Sequence, residues 1–503
     1  MEVVVVLKDV CFSKNPVEGT SVVVGIYEDG TLAESAAKLC SASLKSIEKN
    51  ISVRDFKGKF GEALAFVSDN EFFKNIVLIG IGKKGESFTD VKFEKLGAKI
   101  FGATAHLDEK ISIALRKEDF SVTSDDFFLR LGFGALLQSW TFCKYKTKNE
   151  SKRKLQSICL ISENADELAT KFDSFKKLAE GIFLSREVIS EPANVIYPET
   201  LANRAESELK PLGVEVEILE KEEMEKLGMG ALLGVAQGSE QSPRLAVLRW
   251  NGAQDKTAQP VAFVGKGVTF DSGGISIKPD DGMHEMRYDM AGSGTVLGLM
   301  KAIALNKLPI NVVGIMALVE NMPSGSAQRP GDVVKSMSGQ TIEIMSTDAE
   351  GRLILADALW YVQDKYNPKA IIDLATLTGA IVVALGHEFA GLFSNCDELA
   401  DQIKKSADET GEKVWRMPLS DHFDRSINSD LADMMNLSKP GTRAGGTTAA
   451  QFLKRFVNDK NWAHIDIAGV ETCKDNLFTC ANNGATGFGV HLLYNFLVKN
   501  YVK

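Results

Sequence analysis

The chain has 503 residues, of which 44% are hydrophobic and 25% charged, and its formal net charge is -9. Composition of this kind is ordinary for a globular protein, and the length exceeds what one core supports, so two or more domains are expected. The negative charge argues against a general binder of nucleic acid or membrane surfaces, and no run approaches the roughly 18 apolar residues that a membrane span needs. One local exception to the charge balance, Lys144, Lys146, Lys148, Lys152, Arg153 and Lys154, reads as a solvated loop. The opening Met1 to Lys8 shows no basic leader, and its apolar run is too short for a signal sequence. Seven cysteines (Cys11, Cys40, Cys143, Cys159, Cys396, Cys473 and Cys480) are scattered, with no C-x-x-C among them. They read as reduced thiols of a cytoplasmic protein.

Residues 1–165 alternate short β-branched runs with helical stretches, which predicts an N-terminal α/β domain. Expected strands are Val3–Leu7, Ser21–Ile26, Ile76–Ile79 and Ser157–Ile161, and expected helices are Leu32–Leu44 and Asp90–Phe101. Gly80-Ile81-Gly82-Lys83-Lys84-Gly85 matches G-x-G-x-x-G after a strand. A dinucleotide site also needs a helix opening at once and an acid about twenty residues on. Glu86 to Asp90 and Ala105 supply neither, so the segment reads as a plain turn. From Asn164 to Ile189 apolar residues recur every three or four positions, predicting a long helix that links the domains across residues 166–190.

Residues 191–503 then show strong strand–helix alternation. Strands are expected at Leu245–Trp250, Val261–Val264, Asn311–Leu318, Ala370–Leu374 and His464–Ile467. Helices are expected at Ala291–Leu305, Ala349–Lys365, Thr448–Val457 and Gly487–Val498. This order predicts a larger C-terminal α/β domain around a mixed, centrally parallel sheet. Ligands in such sheets collect beyond the carboxyl ends of the strands.

Two polar clusters fall there. One is Ser346-Thr347-Asp348-Ala349-Glu350-Gly351-Arg352, running into an apolar segment. The other is Gly265-Lys266-Gly267-Val268-Thr269-Phe270-Asp271-Ser272-Gly273-Gly274, followed by Lys278 and Asp289. Thr347 and Glu350 alone suit a capping box, Asp289 alone an N-cap, and Lys266 alone a surface lysine. Together, carboxylates and lysines converging at neighbouring strand ends would be costly as an unbalanced buried cluster, and divalent cations would resolve it. With only His284 nearby, the donors are oxygen-rich, favouring Mn²⁺ or Mg²⁺, although Zn²⁺ also accepts carboxylates. His106, His387, His422, His464 and His491 read as ordinary core or surface residues. Two such ions can share a bridging water and polarise a carbonyl oxygen, which is hydrolytic chemistry.

From about Asn194 to Leu497 the chain resembles the cytosolic, hexameric leucine aminopeptidases, the M17 family. The resemblance rests on Val264 to Gly274, Tyr288-Asp289-Met290-Ala291-Gly292, Thr347 to Leu353 and Asp373-Leu374-Ala375-Thr376-Leu377-Thr378-Gly379-Ala380. Asn321 to Gly325 and Trp462 to Gly469 also look familial. It implies two divalent ions per subunit. Lys266, Asp271, Asp289 and Glu350 would hold one, and Asp271, Asp348 and Glu350, with the Asp348 carbonyl, the other. It further implies Lys278 as an electrophile and Arg352 as holder of a bicarbonate ion that relays a proton. Met286, Thr376, Leu377 and Gly379 would line the pocket for the first side chain of a peptide substrate, and the assembly would be a homohexamer. Ser346 departs from the family's usual Asn, so an altered loop or metal affinity is expected there. Another two-metal hydrolase, such as a phosphatase, and a regulatory DNA-binding relative remain the alternatives, although nucleic acid fits the acidic charge poorly.

Overall fold

A computed structural model of the chain describes residues 4–148, 153–473, 481 and 484–502. Val3, Lys152 and Cys480, named in the sequence analysis, lie outside these residues. Contacts group the chain into two units, divided after Ala179. The helix Ala165–Ser190 carries the backbone across that division and begins one residue before the expected 166–190.

The first unit holds, among the described residues, a six-stranded sheet. Its order is Asp9–Ser13, Ser157–Ile161, Lys110–Ile113, Ser21–Ile26, Asn75–Gly80 and Ala63–Val67. Every neighbouring pair is parallel except the last. Helices Asp90–Thr104 and Phe127–Ser139 approach so closely that a Cβ on Gly97 would lie 1.9 Å from the Leu131 carbonyl oxygen. The expected helix Leu32–Leu44 is interrupted: Glu34–Leu39 ends at Cys40, a single turn Ser41–Ser43 follows, and Leu44–Val53 resumes. Serines favour local turns over helix interiors, which accounts for the break. After Gly80 no helix opens until Asp90, capped by Thr89, as expected of a turn and not of a dinucleotide loop.

The second unit is built on an eight-stranded sheet among the described residues. From one edge the strands are Val414–Arg416, Ala390–Ser394, Asn461–Asp466, Ala370–Ala375, Val261–Asp271, Asn311–Asn321, Arg244–Asn251 and Glu215–Leu219. The four central strands, from Asn461–Asp466 to Asn311–Asn321, run parallel, and antiparallel pairings flank them. Both faces are covered. Ala246 and Leu248 join one apolar core while Leu245 and Val247 join the other, as period-two alternation requires. The mixed α/β class with a centrally parallel sheet therefore stands as expected. Among the described residues no helix is long and apolar enough to cross a membrane.

Several expected boundaries shift by up to three residues, among them His464–Ile467, observed as Asn461–Asp466, and Thr448–Val457, observed as Gly445–Lys454, and two further changes bear on the site. The strand expected at Val261–Val264 runs on to Asp271, through Gly265 and Gly267. Glycine usually weakens a strand, but here it admits a helix. A Cβ on Gly265 would lie 2.6 Å from Gly292, and one on Gly267 would lie 2.6 Å from Ser293 Oγ, both in the first turn of Ala291–Leu305. Lys266 and Asp271 thus both stand on the strand. The helix expected at Ala349–Lys365 begins at Gly351, and the Glu350 side chain makes no cap bond. Thr347 is no capping residue either; its hydroxyl donates to the Gly273 carbonyl at 2.6 Å and accepts from Ser276 N–H at 2.8 Å.

Asp357, fully buried in that helix, accepts backbone N–H bonds from Leu232 and Met337, each at 2.8 Å. Burial nevertheless pushes its carboxyl up to about 7. A carboxyl that titrates near 4 when unfolded and near 7 when folded stabilises the fold below pH 4, and that contribution is lost as pH rises through 7. Stability of the wild type relative to Asp357→Asn should therefore fall by up to about 4 kcal/mol between pH 4 and 7, read from urea unfolding at several pH values. A pH-independent difference would contradict this.

Candidate metal centre

The central strands end at one cavity of about 630 Å³, a size typical of small-ligand sites. All eleven residues singled out from the sequence line it: Lys266, Asp271, Lys278, Met286, Asp289, Asp348, Glu350, Arg352, Thr376, Leu377 and Gly379.

Several local features aim the acids. An irregularity in the pairing with Asn311–Asn321 falls between Val268 and Asp271 and turns the end of the strand. Gly273 and Gly274 then take φ of +86° and +66°, the left-handed region that glycine adopts without strain. Asp271 Oδ1 accepts from Asn321 Nδ2 at 2.7 Å and Gly273 N–H at 2.9 Å. Asn321 Nδ2 also donates to the Thr347 carbonyl at 3.0 Å, tying the two sequence clusters together. On the other side, Thr376 Oγ1 donates to Asp289 Oδ1 at 2.8 Å, and Lys266 Nζ donates to the Thr376 carbonyl at 2.8 Å.

Asp271, Asp348 and Glu350 offer carboxylate oxygens that all lie within 4.8 Å of one another, a group that could hold a metal ion. Lys266 Nζ sits 2.7 Å from Asp289 and 2.8 Å from Glu350, while Lys278 Nζ bridges Asp271 at 2.8 Å and Asp348 at 2.5 Å. Four carboxylates thus surround two ammonium groups, and all but Asp348 and Lys278 are nearly inaccessible. Burial and the neighbouring Glu350 push Asp271 up to about 6, and burial drives Asp289 well above the usual carboxylate range. Burial opposes the charge on Lys266 too, but Asp289, Glu350 and Asp271 outweigh it and hold its ammonium proton tightly. Glu350 is lowered because Lys266 and Lys278 overcome its burial.

Two donor atoms bear on occupancy. Asp289 Oδ2 is buried with no hydrogen-bond partner among the described residues, and so is Arg352 Nε. An orphaned carboxylate oxygen in a surplus of buried negative charge suits a cation, since unpaired buried polar atoms are otherwise costly. An unpartnered guanidinium N–H suits a small anion. Burial lowers the Arg352 guanidinium to about 10, and its Nη1 donates to the Asn436 carbonyl at 2.7 Å.

Some contributors were not legible in the sequence. Asn436 holds the loop before the helix: its Oδ1 accepts from Met345 N–H at 2.7 Å and its Nδ2 donates to the Ser346 carbonyl at 2.7 Å. Ser346 Oγ accepts from Asp348 N–H at 3.2 Å, so the serine closes a turn of its own. His387 lines the cavity, its Nδ1 2.8 Å from the Gly469 carbonyl oxygen, whereas His284 is exposed and does not. His464 is a buried partner of Asp373, at 2.6 Å.

The fold and this acidic cluster define a two-unit α/β protein with a candidate metal site beyond the carboxyl ends of a parallel sheet. Its sequence settles the family. Residues 183–494 match the catalytic domain of the cytosol aminopeptidase family and residues 23–149 its N-terminal domain, so the chain belongs to that family. It is 46% identical over 496 residues to a probable cytosol aminopeptidase of Wolbachia pipientis wMel, covering 98% of this chain and 96% of that protein. Over 452 residues it is 48% identical to a probable cytosol aminopeptidase of Rickettsia africae (strain ESF-5), covering 89% and 90%. A solved structure of a mutant tomato leucine aminopeptidase is similar with a TM-score of 0.87 at 30% identity, covering 98% of this chain and 96% of that one.

Gly351 keeps Lys266 in place, because an added Cβ would lie 2.7–2.8 Å from the lysine's Cδ, Cε and Nζ, which have no room to retreat. Gly351→Ala should lower stability by about 1–3 kcal/mol, measured by urea unfolding. Wild-type stability would show that the lysine tip moves freely.

Proposed function

We propose that the chain is a metal-dependent aminopeptidase that releases N-terminal residues, preferentially leucine-like ones, from peptides. The observation that carries this reading is the converging group of Asp271, Asp348 and Glu350, with Asp289 and its orphaned oxygen beside Lys266, in a member of the cytosol aminopeptidase family. Residues 191–503 would form the catalytic part, downstream of a 1–165 domain and a linker over 166–190.

Lys266, Asp271, Asp289 and Glu350 would hold one divalent ion, and Asp271, Asp348 and Glu350, with the Asp348 carbonyl, the second. Mn²⁺ or Zn²⁺, and also Mg²⁺, suit these donors. Such a pair supplies acidification of water near neutral pH and polarisation of a peptide carbonyl. Lys266 could serve as a ligand only as a neutral amine, so loading the site must displace its proton. Lys278 reaches the cavity mostly screened from solvent, between Asp271 and Asp348. Its ammonium is suited to donate to negative charge developing on the carbonyl oxygen. Arg352, with Nε unpartnered, would hold a bicarbonate ion, which would supply a proton relay at this end of the site. The corner formed by Lys266 and Asp289 would receive the free α-amine of the substrate, restricting cleavage to the first residue.

Met286, Thr376, Leu377 and Gly379 form the wall for that residue's side chain, and the pliable methionine favours leucine-like groups. Asp466 steadies the wall by accepting from Leu377 N–H at 3.0 Å and Thr378 Oγ1 at 2.7 Å. A cytoplasmic homohexamer completes the proposal, supported by family membership.

Asp348→Ala and Glu350→Ala should each lower hydrolysis of leucine anilide more than about 100-fold while leaving the circular dichroism spectrum unchanged. Wild-type kcat in either would overturn the ligand assignment. Lys278→Ala should lower kcat by about 10²–10³ with metal content intact by elemental analysis; loss of metal would instead make Lys278 part of the cage.

A further inference from the structure

In the first unit, the edge strand Asp9–Ser13 pairs in parallel with Ser157–Ile161 and places Cys11 in register with Cys159. Parallel neighbours lie about 4.8 Å apart, inside the Cα separation of about 4.4–6.8 Å that a disulfide spans. Residues in register share a face, so the two side chains stand side by side. The same face carries Ser13, whose Oγ lies 3.4 Å from Cys159 Sγ, and Ser112, in register with Cys159 on the next strand. The opposite face is apolar: Val10, Leu160 and Phe172 crowd around Gly132 of the helix Phe127–Ser139. The thiols are therefore set apart from that core. Cys159 is buried, but Cys11 is half-exposed on a strand with one neighbour. An edge strand can shift by the few tenths of an ångström that a disulfide's shorter Cβ spacing asks of it.

We propose that Cys11 and Cys159 form an oxidisable dithiol, at which hydrogen peroxide joins the two thiols as an intrachain disulfide, and two thiol groups of a small reductant reverse it and leave as their own disulfide. In the first step a Cys159 thiolate electron pair attacks a peroxide oxygen, the O–O bond breaks and hydroxide leaves, giving a sulfenic acid. In the second, the Cys11 sulfur attacks the sulfenic sulfur, the S–O bond breaks and water leaves with the Cys11 proton. Two thiols and one peroxide thus yield one disulfide and two waters, the sulfurs giving up two electrons. The hydrogen bond between the two thiols, together with Ser13 and the Lys110 charge, favours the thiolate at Cys159, while the same bond and burial raise Cys11. A thiolate beside a proton-bearing thiol is the arrangement that the two steps need.

The test treats the reduced full-length protein with hydrogen peroxide, blocks remaining thiols, and maps a non-reducing digest by mass spectrometry. The expected result is a peptide pair joined through Cys11 and Cys159, with thiols in denaturant falling from seven to five and returning after dithiothreitol. In Cys11→Ser, Cys159 should instead stop at sulfenic acid, trapped by dimedone. Unmodified Cys11 and Cys159, direct overoxidation of Cys159 in the wild type, or linkage of either to another cysteine would overturn the proposal. Because the readout is covalent, it does not depend on the aminopeptidase assignment.

Discussion

A surplus of negative charge held out of water is the constraint around which the second unit is arranged. Four carboxylates and two lysines share one cavity, and most are buried. Charges in such surroundings are costly unless balanced atom by atom. The two lysines provide partial balance, yet Asp271 and Asp289 still hold protons far more readily than free carboxylates, and one Asp289 oxygen is unpartnered. A site in that state is poised for more positive charge than its own side chains supply.

Holding it together falls to the backbone. The central strand can pass Lys266 and Asp271 into the cavity because Gly265 and Gly267 let the helix Ala291–Leu305 lie directly against it. That contact brings Asp289 beside Lys266 and Thr376. Asn321 and Asn436 then bind the 347–350 segment from two sides. Neither amide carries charge, and both fix acids or the loop that presents them. The acids are therefore located by a packed sheet and its glycine-lined contacts.

Much of this was legible in the sequence, for identifiable reasons. Of the central strands, Val261–Asp271, Asn311–Asn321 and Ala370–Ala375 are rich in β-branched and other apolar residues and almost wholly buried, and such runs advertise themselves. Asp348 and Glu350 lie two residues apart, so their closeness needed no tertiary knowledge. The end of the Val261–Asp271 strand was misjudged because Gly265 and Gly267 look like chain breakers until a helix is seen to rest on them. Thr347 and Glu350 fit a capping pattern, but the helix starts later and tertiary partners claim the threonine. The edge strand Val414–Arg416 and its neighbour Ala390–Ser394 are too short to show periodicity. Asn436 and His387 gave no signal as site residues, since their roles depend on neighbours distant in the chain.

The most direct test is anomalous diffraction from crystals soaked in Mn²⁺. The account predicts two peaks about 3.5–4 Å apart, one within coordination distance of Asp289 and both reached by Asp271 and Glu350. A cavity without anomalous density, or manganese bound only at other surface carboxylates, would contradict it.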